Sequence, residues 1–248
     1  MDADVDDRRE VHIFDDGASL AQGAADLVVQ LAAEAINRAG AFHVALSGGS
    51  TPKLLYRILA GETHRELVDW SRVHVYFSDE RFVPPGSEES NYHTAQVGLL
   101  SQVAIPADAV HPVPTVGVQP DEAAKQYEAT ILEAVAGRPL PRFDLIFLGM
   151  GPDGHTASLF PGTEALAVTD RLVAPNYVPR LDNWRITFTY PLLDAGRVVA
   201  FVVGGADKAD RLAEVLRGED YPAAHVAPED GKLLWMVDRA AAVNLDRS

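Results

Sequence analysis

The chain contains no cysteine among its 248 residues, which removes disulfide staples, thiolate nucleophiles and cysteine-ligated zinc from the chemistry open to it. Positive charge is scarce: Lys+Arg number 21 against 36 Asp+Glu, a formal net charge of -15. Such a field repels phosphate backbones and anionic headgroups, so neither nucleic acid nor a membrane surface is an expected partner. No uninterrupted apolar run is long enough to span a bilayer, and the acidic start MDADVDDRRE lacks the basic and apolar regions of a secretory signal. These absences read as a cytoplasmic, soluble protein. The histidines show no His-x-x-x-His or His-Glu-x-x-His spacing, so no metal is expected. Apart from His155 they read as structural or surface residues. The three tryptophans are too scattered to form a platform for bases.

What is present is a 47% hydrophobic composition, enough for a sizeable core, laid out as short β-rich runs alternating with longer amphipathic ones. That alternation predicts βαβ units on a mostly parallel sheet in one main domain. Strands are expected at 11–14, 42–46, 73–77, 143–148, 186–190, 198–203 and 233–237, and helices at 18–38, 91–100, 121–136 and 208–216. The first helix carries Leu20, Ala24, Leu27, Val28, Leu31 and Ala35 on one face. Gly137 and Pro139 stop the third. The stretch 172–190 is expected to form a small appended layer, and residues 1–9 a loosely held tail.

Candidate chemistry gathers at the carboxyl ends of the expected strands, where open α/β sheets bind ligands. Ser47-Gly48-Gly49-Ser50-Thr51-Pro52 joins a strand to a helix, and its glycines and hydroxyls suit a phosphate cradle at a positive helix end. It is neither a Walker loop nor a dinucleotide fingerprint, and the plainer reading is an ordinary glycine-rich turn. Ser78-Asp79-Glu80-Arg81 crowds two carboxylates, a hydroxyl and a guanidinium after a strand, either as a solvated charged loop or as donors for phosphate or an oxyanion. Gly149 to Gly162 reads as strand, turn and helix, with His155 opening the helix as a general base and Asp153 orienting it. An imidazole there can exchange protons near neutral pH; the plainer reading is a helix cap. Lys208, after Gly204-Gly205, places an ammonium where the helix dipole disfavours it, which a bound anion would explain.

Four motifs in this order, SGGSTP at 47–52, SDER at 78–81 with SNYHTA at 90–95, GMGPDGHTASLFPG at 149–162 and GGADK at 204–208, resemble the 6-phosphogluconolactonases of the glucosamine-6-phosphate deaminase/6-phosphogluconolactonase family, over about residues 10–243. The resemblance implies an open, mostly parallel Rossmann-like α/β sheet with helices on both faces and a small appended lobe. It implies a cytoplasmic, cofactor-free hydrolase acting on a sugar-phosphate lactone, expected as a monomer or weak dimer. By the same resemblance His155 activates water beside Asp153, and Arg81 is the substrate-site arginine. Ser47, Gly48, Gly49, Ser50 and Thr51 form the sugar-phosphate loop, with Asp79 and Glu80 nearby. Lys208 faces the phosphate, together with Arg180 or Arg185, because APNYVPRLDNWRIT replaces the family's proline-rich segment there. Deaminase relatives carry a glutamate five residues after the histidine; here that position is Phe160, which cannot transfer protons. An isomerase or deaminase using Asp79 or Glu80 as base, and a non-catalytic sugar-phosphate sensor, are the competing readings.

Overall fold

Two apolar runs, LIFL at Leu145–Leu148 and VVAFVV at Val198–Val203, are buried at every position, as the central strands of a covered parallel sheet must be. The computed structural model describes residues 9–135 and 140–245. Its strands are β1 (Arg9–Phe14), β2 (Phe42–Leu46), β3 (Val73–Phe77), β4 (Asp79–Arg81), β5 (Leu145–Leu148), β6 (Val173–Val178), β7 (Asn183–Phe188), β8 (Val198–Val203) and β9 (Lys232–Asp238). The longer helices are α1 (Gly17–Ala39), α2 (Ser50–Ala60), α3 (Asn91–Gly98), α4 (Pro120–Ala134) and α5 (Ala209–Leu216). Six strands form a sheet in the order β1-β9-β8-β5-β2-β3, parallel at every pairing, and helices flank it. None of the described helices is long and apolar enough to cross a membrane.

The chain runs outward from β2 to β3 on one side and from β5 to β8 on the other, so the order reverses between β2 and β5. In open α/β sheets that reversal opens a crevice at the strands' carboxyl ends, and here the turns after β2 and β5 both enter it. Helix α1 is set by an Asp16–Ser19 capping box and by Gly40 at φ +83. Its buried stripe is Leu20, Ala21, Ala24, Ala25, Val28, Ala32 and Ala35; Leu27 and Leu31 are only partly buried against the core.

A second sheet of three antiparallel strands, β4-β7-β6, supplies the appended layer. Ser78 is the joint between the sheets: its N–H donates to Leu46 O at 2.8 Å, and its carbonyl accepts from Phe188 N–H at 2.8 Å. Its hydroxyl lies 3.1 Å from Leu46 O and 3.3 Å from Phe147 O, at the ends of β2 and β5.

Several expectations shift; the strand expected at 143–148 is Leu145–Leu148 and the helix expected at 91–100 is Asn91–Gly98. Asp79–Arg81 is a strand paired with β7 rather than a charged loop. The strand expected at 186–190 runs Asn183–Phe188, because Tyr190–Asp194 turns helical behind Pro191. The helix expected from 121 to 136 is Pro120–Ala134, with Gly137 and Pro139 outside the described residues. Arg9 already belongs to β1, while the rest of the expected tail, residues 1–8, lies outside the described residues.

Candidate active site

The turn after β2 brings backbone to the crevice. Gly49 sits at φ +118, a conformation other residues rarely adopt. A Cβ on Gly48 would lie 2.0 Å from Asn91 Oδ1, so only glycine fits there. Helix α2 starts at Ser50 without a side-chain cap, which leaves amide donors and the positive helix end at the crevice. Tyr56 anchors the turn by donating to Ser47 O at 2.7 Å. Ser47, Gly48, Gly49, Thr51 and Pro52 line a cavity of about 250 Å³; the side chain of Ser50 lies outside the description.

The turn after β5 carries the imidazole. His155 does not open a helix, because the chain from Gly151 to Gly162 is a succession of turns. A hydrogen-bonded turn sets it instead: Gly151 N–H donates to His155 O at 2.9 Å and Gly154 N–H to Gly151 O at 3.0 Å, with Gly154 at φ +78. A Cβ on Gly151 would come within 2.1 Å of the His155 ring. Asp153 Oδ1 lies 2.5 Å from His155 Nδ1, and Asp153 Oδ2 lies 2.5 Å from an Arg180 Nη2. Burial alone would raise the Asp153 carboxyl, but the hydrogen bond and charge of His155, with Arg180 behind them, bring it down to about 2. An ionised carboxylate only accepts. The hydrogen between them therefore sits on Nδ1, and in the neutral form of the ring the lone pair is on Nε2. The ring stacks on Phe160, centroids 4.0 Å apart.

The small sheet brings charge. Arg81 lines the cavity while its guanidinium donates to Glu89 O at 2.6 Å. Asp79 also lines it; one carboxylate oxygen accepts from Ser158 Oγ at 2.6 Å and the other from Asn91 Nδ2 at 3.2 Å. Glu80 does not line the cavity. Its carboxylate is spent on Arg81 N–H, Asn91 N–H, Tyr92 N–H and the Ser90 hydroxyl, which ties β4 to the start of α3. Burial pushes the Glu80 pKa up against those donors. Arg185, opposite Arg81 in the ladder, is buried, does not line the cavity, and leaves its Nε without a partner. Burial, then the nearby Arg81 charge, lowers its pKa. Arg180 does not line the cavity either.

After β8, Gly205 at φ +101 turns the chain, and its N–H donates to the Asp238 carboxylate at 3.0 Å. Lys208 lies just ahead of α5 rather than inside it, lines the cavity, and pairs with Asp207 at 2.7 Å. The structure thus gathers Ser47, Gly48, Gly49, Thr51, Asp79, Arg81, His155 and Lys208 around one cavity, with Asp153 and Arg180 immediately behind the imidazole.

A family model described as glucosamine-6-phosphate isomerases/6-phosphogluconolactonase matches residues 15–235. The chain belongs to this family. A 6-phosphogluconolactonase from Nostoc sp. is 42% identical over 246 residues, covering 96% of this chain and 99% of the relative. One from Mycobacterium tuberculosis is 35% identical over 243 residues, covering 95% and 98%. Among solved structures, 6-phosphogluconolactonase from Trypanosoma cruzi matches with a TM-score of 0.87 at 29% identity, over 96% of this chain and 97% of that one. A monomeric glucosamine-6-phosphate deaminase matches with a TM-score of 0.80 at 16% identity, over 94% and 99%, a likeness of fold.

Within this family member, the residues that sequence reasoning did not nominate are the ones that hold others. Asn91 fills the space above Gly48 and donates to Asp79 O at 2.9 Å. Ser158 follows Ala157, which sits at φ +47, and docks on Asp79 and on Thr187 Oγ1. Both lie inside motifs that carry the family resemblance, SNYHTA and GMGPDGHTASLFPG, which was the signal that could have singled them out.

Proposed function

We propose that the protein hydrolyses 6-phospho-D-glucono-1,5-lactone to 6-phospho-D-gluconate, the lactonase step of the oxidative pentose phosphate pathway. The observation that carries this reading is the Asp153–His155 pair set at the edge of a cavity that also holds Lys208 and Arg81. His155 Nε2 takes a proton from water as the water oxygen attacks the lactone carbonyl carbon. The ring C–O bond then breaks, the imidazolium returns a proton to the departing ring oxygen, and the new carboxyl ionises. No covalent intermediate forms. The Ser47–Thr51 turn, the N-terminal amides of α2 and Lys208 hold the phosphate, and Arg81 offers its fork of donors to the polarised substrate. Binding at the phosphate end orients the reacting end over the base.

Lactones are activated esters, so a positioned base is enough. General-base catalysis contributes about 100- to 10,000-fold, or roughly 3 to 5 kcal/mol. Continuous acid release from freshly prepared lactone, above the spontaneous rate, is the expected result, and His155→Ala should lower turnover by about that range. A variant within a few-fold of the parent would remove His155 from the role of base. Ammonia release from glucosamine-6-phosphate would instead indicate a deaminase. The Phe160 ring against His155 opposes that outcome, since it offers no group to shuttle protons.

A further inference from the structure

The guanidinium of Arg180 lies outside the cavity yet touches the catalytic pair. Arg180 sits on the turn Pro179–Leu181 between β6 and β7, closed by Asp182 at φ +45. That tip is fastened: the Tyr177 hydroxyl donates to Asp182, and the Tyr177 and Trp184 rings are 5.3 Å apart. From there Arg180 takes one Asp153 oxygen at 2.5 Å while His155 holds the other at 2.5 Å. The Phe160 ring meets both partners, with the imidazole centroid at 4.0 Å and the guanidinium carbon at 4.9 Å. Phe160 is itself buried.

We propose that Arg180 is a positioning residue of the base, clamping Asp153 onto His155 across the Phe160 ring, and is not a ligand of the substrate phosphate. The inference rests on His155 being the base. A carboxylate held at both oxygens cannot rotate away from Nδ1, and the imidazole lying on Phe160 cannot tilt out of line. The guanidinium has a second effect, because a positive charge beside the pair opposes formation of the imidazolium. The other charged groups around the ring are Asp153 itself, and Asp79, Arg81 and Lys208 on the cavity wall. Arg211 is held on Pro152 O at 3.1 Å, over the Tyr221 ring. Of the cations, Arg180 alone contacts Asp153 among the described residues.

The two roles open to Arg180 separate in one set of measurements on the full chain. The pH dependence of kcat/KM for fresh lactone is recorded for the parent, Arg180→Gln, Arg180→Lys and Asp153→Asn, alone and combined with Arg180→Gln, alongside equilibrium binding of 6-phosphogluconate. With Arg180 acting through Asp153, the acid limb of Arg180→Gln moves to higher pH by about half a unit to one unit. Arg180→Lys restores most of it, the Asp153→Asn background shrinks it to the direct charge effect, and product affinity stays within about twofold. Phe160→Leu lowers kcat by about tenfold through misplacement of the base, again without weakening product binding. Loss of about tenfold or more in 6-phosphogluconate affinity with an unmoved limb would make Arg180 a phosphate ligand and overturn the proposal, as would no change in either. NMR titration of the His155 ring, parent against Arg180→Gln, tests the contact without turnover. A shifted ring titration in a protein whose His155→Ala variant stays active would refute the proposed base and leave the clamp standing.

Discussion

The six-stranded sheet and the three-stranded sheet equip the site differently. From the large sheet come backbone, the Asp153–His155 pair and Lys208: β2, β5 and β8 each end in glycine turns at 48–49, 149–151 and 204–205, which bring amides, one ring and one ammonium to the crevice. The small sheet and its hairpin tip contribute charge, with Asp79, Arg81, Arg180 and Arg185 all on or beside β4, β6 and β7. A parallel sheet covered on both faces has little room for charge, whereas a short antiparallel layer can keep a polar face. The crevice therefore needs both. The ties between them include the Ser78 joint and the hydrogen bonds of Ser158 to Asp79 and Thr187.

The sharpest way to break this division is to spoil the backbone side while leaving every charge in place. Gly151→Ala puts a methyl about where the His155 ring now lies, 2.1 Å from Nδ1, and the imidazole must move. Turnover should fall about 100-fold or more, with the small-sheet charges intact and 6-phosphogluconate still bound. Retained turnover would show that ring placement tolerates the added methyl. Next in size is Lys208→Ala, which removes the cavity's ammonium. A charge-assisted hydrogen bond contributes roughly 1.5 to 3 kcal/mol, so KM should rise about 10- to 100-fold with kcat less affected. An unchanged KM would leave phosphate recognition to the α2 amides.

The same division explains how much could be read from the chain. Periodicity and apolar runs place β2, β3 and β8 at the observed bounds: β8 is apolar and buried throughout, and β2 and β3 each carry a single histidine, His43 and His74, in an otherwise apolar run. The glycine turns are legible too, because their conformations demand glycine. The small sheet is harder. β4 is three residues long and wholly charged, Asp-Glu-Arg, and only its ladder with β7 makes it a strand. Glu80 shows the same limit: its sequence neighbours suggest a substrate contact, yet three donors at the start of α3 and the N–H of Arg81 claim it. His155 was expected at a helix start because glycine before an apolar run imitates a cap; Gly154 and Ala157 at positive φ keep the chain turning instead.

Ser158→Ala tests one tie between the layers. It removes the hydroxyl that serves one oxygen of buried Asp79, and an unsatisfied buried acceptor costs about 1 to 3 kcal/mol. The urea midpoint should drop accordingly. Ser158→Thr, which keeps the hydroxyl, should recover part of it. Equal loss in both variants would mean that packing around the loop, not the hydrogen bond, secures the layers.

The smallest expected effect compares the two regions in acid. In the large sheet, His43 lies in a stack with His74, ring centroids 4.8 Å apart, and its Nδ1 is buried without a partner. Burial first, then the charges of His74 and His111, lower its pKa from 6.5 to about 4. The unfolded chain takes up this proton more readily than the fold does, so the stability linked to His43 is full above pH 6.5 and is lost as pH falls to about 4. Asp153, down at about 2, remains ionised throughout that window, so acid should weaken the sheet before it disarms the Asp153–Arg180 pair beside His155. His43→Gln should flatten the fall in urea midpoint between pH 7 and 4.5 by on the order of 1 kcal/mol, discounted for the part of the ring open to solvent. His111, also lowered by burial and by His74, keeps a residual slope. Parallel stability curves for parent and variant would place the acid sensitivity in the small sheet and reverse the contrast.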